Sequence, residues 1–277
     1  MKQRILTAVV LVIIWIPVAV FSDTWLFCLF FSILSAVGMF EMLQCVGVSR
    51  NAAVVIPTVC LAVALPFLTR VVQDPISFGM LLIVLFFLLL FYLLAAAVFS
   101  RGQLKLYEVA VVFMMALYIP GTLSCIILLH DLPKGAYLYY LVFVGAWITD
   151  IFAYFTGRIL GRHKLIPDVS PKKTVEGAVG GTVFCMASFA LYGFVISRIF
   201  DITPHYGALL ILGLVVSIIS QIGDLSMSLI KRHYNVKDYG KLFPGHGGVL
   251  DRFDSVMAAA PFLYLLCATF RFFHVLF

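Results

Sequence analysis

The chain has 277 residues, of which 63% are hydrophobic and only 12% charged, and its mean hydropathy is +1.11. A soluble domain is about 45–50% apolar and about 25% charged; this composition excludes one, and apolar runs of roughly 18–24 residues point instead to an all-α, polytopic transmembrane protein. The formal net charge of +6 sits in the connections, where it reports membrane orientation and anionic ligands; no basic stretch interleaved with aromatics offers a nucleic-acid surface, so no nucleic-acid partner is expected.

Nine spans are expected, at approximately 5–22, 25–45, 52–69, 78–99, 107–129, 137–158, 177–197, 206–229 and 253–273. The first follows Lys2 and Arg4 as a signal peptide would, but no small-residue cleavage site lies near Phe21, so it reads as a helix. With a cytoplasmic N-terminus, every Lys and Arg except Arg70, Lys134, Arg198 and Arg271 falls on the cytoplasmic side, as the positive-inside rule requires. Both long polar loops, 159–176 and 230–252, then lie in the cytosol. A multi-pass protein of a bacterial-type inner membrane is the expected setting. The cysteines Cys28, Cys45, Cys60, Cys125, Cys185 and Cys267 lie in or beside apolar runs with no CxxC pair, and read as small buried hydrophobes with neither disulfide nor zinc.

The two halves differ. Residues 1–136 have short loops and few polar groups in their spans, and read as a transmembrane scaffold. Residues 137–277, with both polar loops, read as the catalytic region. Two carboxylates in this region stand inside spans, Asp150 in "WITDIFAYFTGR" and Asp224 in "SQIGDLSMSLIKR". An aspartate at a helix centre costs about 2.5–3.5 kcal/mol on insertion scales. Asp150, Tyr154, Gly157 and Arg158 share one helical face, as do Gln221, Asp224, Ser228, Lys231 and Arg232. Each face runs from an inner carboxylate to a base at the cytoplasmic end. Such a stripe faces either a cavity or another polar helix.

The second stripe continues into "SLIKRHYNVKDYGKLFPGHGGVLDRFDS", residues 228–255. Lys231, Arg232, Lys237 and Lys241 are suited to phosphate oxygens. Gly247 and Gly248 allow a phosphate close to the backbone. Asp238 lies among the bases, and Asp251 and Asp254 follow one helical turn apart, suited to Mg2+. Positive-inside topology alone accounts for the bases but not for the interleaved carboxylates. His246 suits a structural hydrogen bond as well as a chemical role. In the other loop, Lys172 and Lys173 are phosphate partners, while Ser170 and Thr174 either donate to phosphate or cap the next helix. Gly177, Gly180 and Gly181 suit close helix packing. No soluble-type nucleotide motif is present, neither GxxxxGK[ST] nor GxGxxG.

The run 228–255 resembles, nearly position for position, the signature of the phosphatidate cytidylyltransferases, or CDP-diacylglycerol synthases. Ser228, Lys231, Arg232, Lys237, Asp238, Gly240, Pro244, His246, Gly247, Gly248, Asp251, Arg252 and Asp254 all fit it. "SPKKTVEG", "DIFAYFTGR" and "QIGD" also resemble segments of that family, so residues 145–256 carry the resemblance. It implies a polytopic helical homodimer with a polar cavity open to the cytosol and the lipid. The activity it implies is transfer of CMP from CTP to phosphatidic acid with Mg2+, leaving a second, monovalent ion open. By resemblance Asp224 and Asp251 bind the metal, with Asp254 and Asp150 as further candidates. Lys231, Arg232, Lys237, Lys172 and Lys173 neutralise phosphates, with Arg252 and Ser228 beside them. His246 positions a phosphate or relays a proton. A CTP-dependent prenol kinase shares the membrane setting, and an anion or metal transporter also suits midspan charges with a basic vestibule.

Overall fold

A computed structural model describes residues 13, 15–200, 203–243, 245 and 247–270. Residues 15–20 are helical, and half of the first expected span, 5–22, lies outside the described residues. The elements that follow are α1 Trp25–Val46, α2 Ala52–Val71, α3 Pro75–Phe99, α4 Leu106–His130, α5 Gly135–Ile159, β1 Lys164–Ile166, β2 Ser170–Thr174, α6 Val175–Phe200, α7 Tyr206–His233 and α8 Leu250–Phe270. Helices α1 to α7 are each long and apolar enough to cross a membrane. Helix α8 occupies the ninth expected span but is not among them; Asp251, Arg252 and Asp254 charge its first turn and a half. The all-α expectation holds, with one addition inside the loop 159–176: β1 and β2 pair antiparallel as a hairpin.

Helix ends follow local chemistry. The side chains of Thr24, Asn51 and Asp74 accept backbone N–H bonds at the starts of α1, α2 and α3. Pro75 opens α3, where its missing N–H costs nothing. Gly47, at φ 91°, closes α1 in the left-handed conformation that favours glycine. Along α3 only Phe78, Leu89 and Leu93 are buried, while Ile83, Phe87, Leu88 and Phe91 are exposed. That outward apolar face is suited to lipid. Among the cysteines, Cys28, Cys185 and Cys267 are buried as expected, whereas Cys60 is exposed.

The chain forms two compact units. One holds the described residues up to Ile127 together with Tyr234–Arg252; the other holds Leu128–His233 and the described residues from Phe253. The glycine-rich loop, which the sequence groups with the C-terminal region, therefore packs with the N-terminal helices. In the first unit α1 packs on α2, and α2 on α3. Ser32 Oγ on α1 donates to the Val63 carbonyl at 2.8 Å. A side chain at Gly38 would meet Leu250 Cδ2 at 3.1 Å and Ile119 at 3.4 Å.

In the second unit α5, α6 and α7 pack on one another. Small residues let the backbones approach, as the sequence suggested. A Cβ on Gly181 would lie 2.7 Å from the Thr149 carbonyl, and one on Gly213 would lie 2.9 Å from Met186 Cα. A side chain on Gly180 would strike Thr156. Tyr192 Oη donates to the Tyr137 carbonyl at 2.6 Å, joining α6 to α5.

Candidate active site

The polar stripe on α7 is the core of one cluster, all of it in the second unit. Asp224 Oδ2 pairs with Lys173 Nζ at 2.5 Å, and Ser228 Oγ donates to Asp224 Oδ1 at 3.3 Å. Asp254, on α8 and only 7% exposed, lies within electrostatic reach of Asp224, Asp150 and Lys231. Ser255 Oγ donates to Asp150 Oδ2 at 2.8 Å, tying α8 to α5. The close approach of α7 and α8 depends on Gly223, where a Cβ would strike Ala258 and come within 3.1 Å of the Asp254 carbonyl. Three carboxylates and two buried or half-buried lysines thus gather from α5, β2, α7 and α8. Deeper along α7, Gln221 Nε2 donates to Thr182 Oγ1 and Ser217 Oγ, both at 3.1 Å.

The hairpin explains how Lys173 reaches this cluster. Strand neighbours point to opposite faces: Lys172 is exposed, and Lys173 turns to Asp224. Ser170, half-buried, pairs across the ladder with Ile166. Thr174 is 7% exposed, and its Oγ1 accepts from Gly177 N at 3.1 Å, so it caps α6, one of the two roles the sequence offered. Glu176 holds the hairpin's other end, contacting His163 Nδ1 at 2.6 Å. Arg232 Nε donates to the Val169 carbonyl at 3.2 Å, which fastens the hairpin turn to the end of α7. Lys231 is 8% exposed, and Arg232 is exposed.

The glycine-rich loop, in the first unit, is organised by carboxylates. Asp251 Oδ2 accepts from Tyr239 N at 2.8 Å and from Gly248 N at 2.9 Å. Glu41, on α1 and 5% exposed, accepts from Val249 N and Leu250 N, both at 3.0 Å. The glycines fit around these groups. Gly247 has φ +86°, and a Cβ there would lie 2.7 Å from Asp251 Oδ2; side chains at Gly240 and Gly248 would both overlap the Glu41 carboxylate. Gly247 is thus fitted around Asp251 and Gly248 around Glu41 of α1, a steric reason for bare backbones beside the phosphate approach that the sequence suggested. Lys237, Asp238 and Arg252 are exposed on this unit. His246 and Pro244 lie outside the described residues.

Sequence reasoning missed Glu41 and Ser255. Glu41 was signalled by an acid standing alone in the apolar run "MFEML", the same cue that singled out Asp150 and Asp224. Ser255 gave no signal.

Among the described residues no three or more His, Cys, Asp or Glu side chains form a ready-made metal cluster. Mg2+ needs less from the protein, since it is held by one or two carboxylates with phosphate oxygens and water completing its shell. Asp224 and Asp254 fit that donor set, being close in space and set among lysines. Asp251, whose Oδ2 accepts two backbone N–H groups, is the further carboxylate that the sequence named for the metal.

Comparison with known proteins agrees with this chemistry. A protein from Staphylococcus haemolyticus named phosphatidate cytidylyltransferase is 33% identical over 270 residues, covering 96% of this chain and 98% of the relative. One of the same name from Bacillus subtilis is 42% identical over 169 residues, covering 59% of this chain and 60% of the relative. Another, from Brucella abortus, is 45% identical over 150 residues, 54% of each chain. The cytidylyltransferase family model matches residues 2–270. With that match running nearly end to end, the chain belongs to the cytidylyltransferase family.

Proposed function

We propose that this protein transfers CMP from CTP to phosphatidic acid, forming CDP-diacylglycerol and pyrophosphate in phospholipid biosynthesis. The observation that carries the reading is the gathering of Lys173, Asp224, Ser228, Lys231 and Asp254 in a membrane protein of this family. In the reaction a lipid phosphate oxygen attacks the α-phosphorus of CTP and forms the new P–O–P link. The bond from that phosphorus to the bridging oxygen of the β-phosphate breaks, and pyrophosphate leaves with the electron pair. The nucleophile is already an anion, so the work lies in bringing two anions together and neutralising charge.

Lys173 and Lys231 are held among carboxylates, and supply positive charge where the phosphates meet. Lys172, Arg232, Lys237 and Arg252 are exposed and attract both anions, while His246 positions a phosphate. Asp224 and Asp254 hold the divalent cation, Mg2+ in this proposal, with Asp150 supporting α8 through Ser255. When bound, that cation neutralises developing charge on the phosphate oxygens. Asp251 and Asp238 belong to the loop, where Asp251 shapes the backbone. The distribution of Lys and Arg supports a cytoplasmic N-terminus, with the hairpin, the glycine-rich loop and a polar cavity on the cytosolic side. The resemblance supports a homodimer.

The test uses purified protein in mixed micelles with phosphatidic acid, Mg2+ and α-labelled CTP. Label entering lipid with pyrophosphate release is the expected result. Labelled CDP accompanied by a phosphorylated prenol, or no labelled product, would overturn the reading.

A further inference from the structure

We propose that Glu41 is a positioning residue for the transfer reaction, holding the glycine-rich loop and the first turn of α8 from within α1; the reaction part of this inference rests on the activity proposed above.

The geometry is specific. A helix leaves its first N–H groups without intrahelical partners. Val249 N and Leu250 N each donate at 3.0 Å to a different oxygen of one carboxylate, 208 and 209 residues earlier in the chain. Glu41 is 5% exposed, so these bonds form away from bulk water, where charge-assisted bonds to a carboxylate are strong. From the other side Asp251 takes Tyr239 N and Gly248 N. Four backbone amides, at 239, 248, 249 and 250, are therefore held between two carboxylates. The clamp also fixes which residues can stand in the loop. Side chains at Gly240 or Gly248 would occupy the volume of the Glu41 carboxylate, and one at Gly247 would meet Asp251.

Between its clamped ends the loop bears Lys241, with Lys237 and Asp238 just before it and Arg252 just after. The described backbone on either side of Lys241 is held by Asp251 at 239 and 248 and by Glu41 at 249 and 250. The helix that begins at the clamp carries Asp254 one turn further on. Glu41 touches no reacting atom in this scheme; it acts through the residues it holds.

The experiment compares full-length wild type with Glu41→Gln, Gly248→Ala, Glu41→Ala and the double variant Glu41→Ala with Gly248→Ala, all in mixed micelles. Glu41→Gln keeps the size of the side chain but presents an amide N–H to one of the donors. Hydrogen exchange across residues 239–250 should rise about ten-fold or more in this variant, as expected for a buried charge-assisted bond removed. CMP transfer should show a kcat lowered about ten-fold or more with KM for CTP changed far less, the split that general loosening of the fold does not produce. Gly248→Ala should be severe alone and add little once Glu41→Ala has emptied the space. Unchanged exchange in Glu41→Gln would overturn the clamp whether or not the wild type transfers CMP. Raised exchange with an unchanged kcat would overturn the positioning role. Equal cost of Gly248→Ala in both backgrounds would overturn the steric assignment. A wild type that transfers no label sinks the proposed reaction, and with it the positioning role, while the exchange data still decide the clamp.

Discussion

The Lys173–Asp224 pair offers a direct test of the second-unit cluster. Its 2.5 Å separation and side-chain exposures of 25% and 21% place it between two regimes. Exposed pairs contribute about 0–1 kcal/mol, whereas removing one partner of a fully buried pair costs about 3–5 kcal/mol, because the other charge is left uncompensated. With roughly a quarter of each side chain in contact with solvent, Lys173→Met or Asp224→Asn alone should cost about 2–3 kcal/mol of stability. The double variant should cost much less than the sum, since no charge is then orphaned. Activity should behave differently. Removing a charge aimed at the reacting phosphates costs about 100–1,000-fold in kcat, and the double variant should recover none of it. Thermal unfolding in detergent reads the first quantity and label transfer from CTP reads the second. Additive stability losses would refute the ion pair as an energetic unit. A double variant with restored activity would refute the chemical role, leaving a structural bridge between β2 and α7.

Thr174→Val should remove the cap of α6 and cost about 1 kcal/mol in unfolding measurements, with Thr174→Ser restoring most of it; loss of CTP binding without loss of stability would return Thr174 to the substrate. Gly223→Val should force α7 from α8 and cost about 1–3 kcal/mol, abolishing transfer while the protein still inserts; full activity would show that the approach of Asp224 and Asp254 is dispensable. Lys172→Ala, on the exposed face of β2, should weaken the salt dependence of KM for CTP and leave kcat within about ten-fold. A kcat loss as large as that of Lys173→Met would place both lysines at the reaction centre.

Much of the fold was legible because hydrophobic length is a strong signal: among the described residues, seven of the expected spans are long apolar helices. The site was legible in part for the opposite reason. Asp150 and Asp224 are expensive in lipid, so their presence inside spans had to mean partners, and Ser255 and Lys173 are those partners. The hairpin was not legible, since "KLIPDVSPKKT" offers only three and five residues of strand with a proline within the second. The reason for Gly240, Gly247 and Gly248 was not legible either. What excludes a side chain there is a carboxylate some two hundred residues away for two of them, and local sequence cannot name a neighbour so remote. Thr174 shows the limit of residue type alone, because a hydroxyl before a helix suits a cap and a phosphate equally until its neighbour Gly177 is placed.

The clamp on the loop also bears on how the protein is made. Glu41 leaves the ribosome 208 residues ahead of Val249, the first backbone group it will hold. At about 5–20 residues per second, that interval is on the order of 10–40 s. Throughout it, α1 carries an acid into the membrane with none of its final donors yet synthesised, and an unsatisfied polar group there is costly. Insertion of the N-terminal helices is therefore completed by the C-terminal part of the chain. A nascent protein stalled before residue 249 should hold α1 less firmly than the finished one does, which makes the last turns of synthesis a checkpoint for the first.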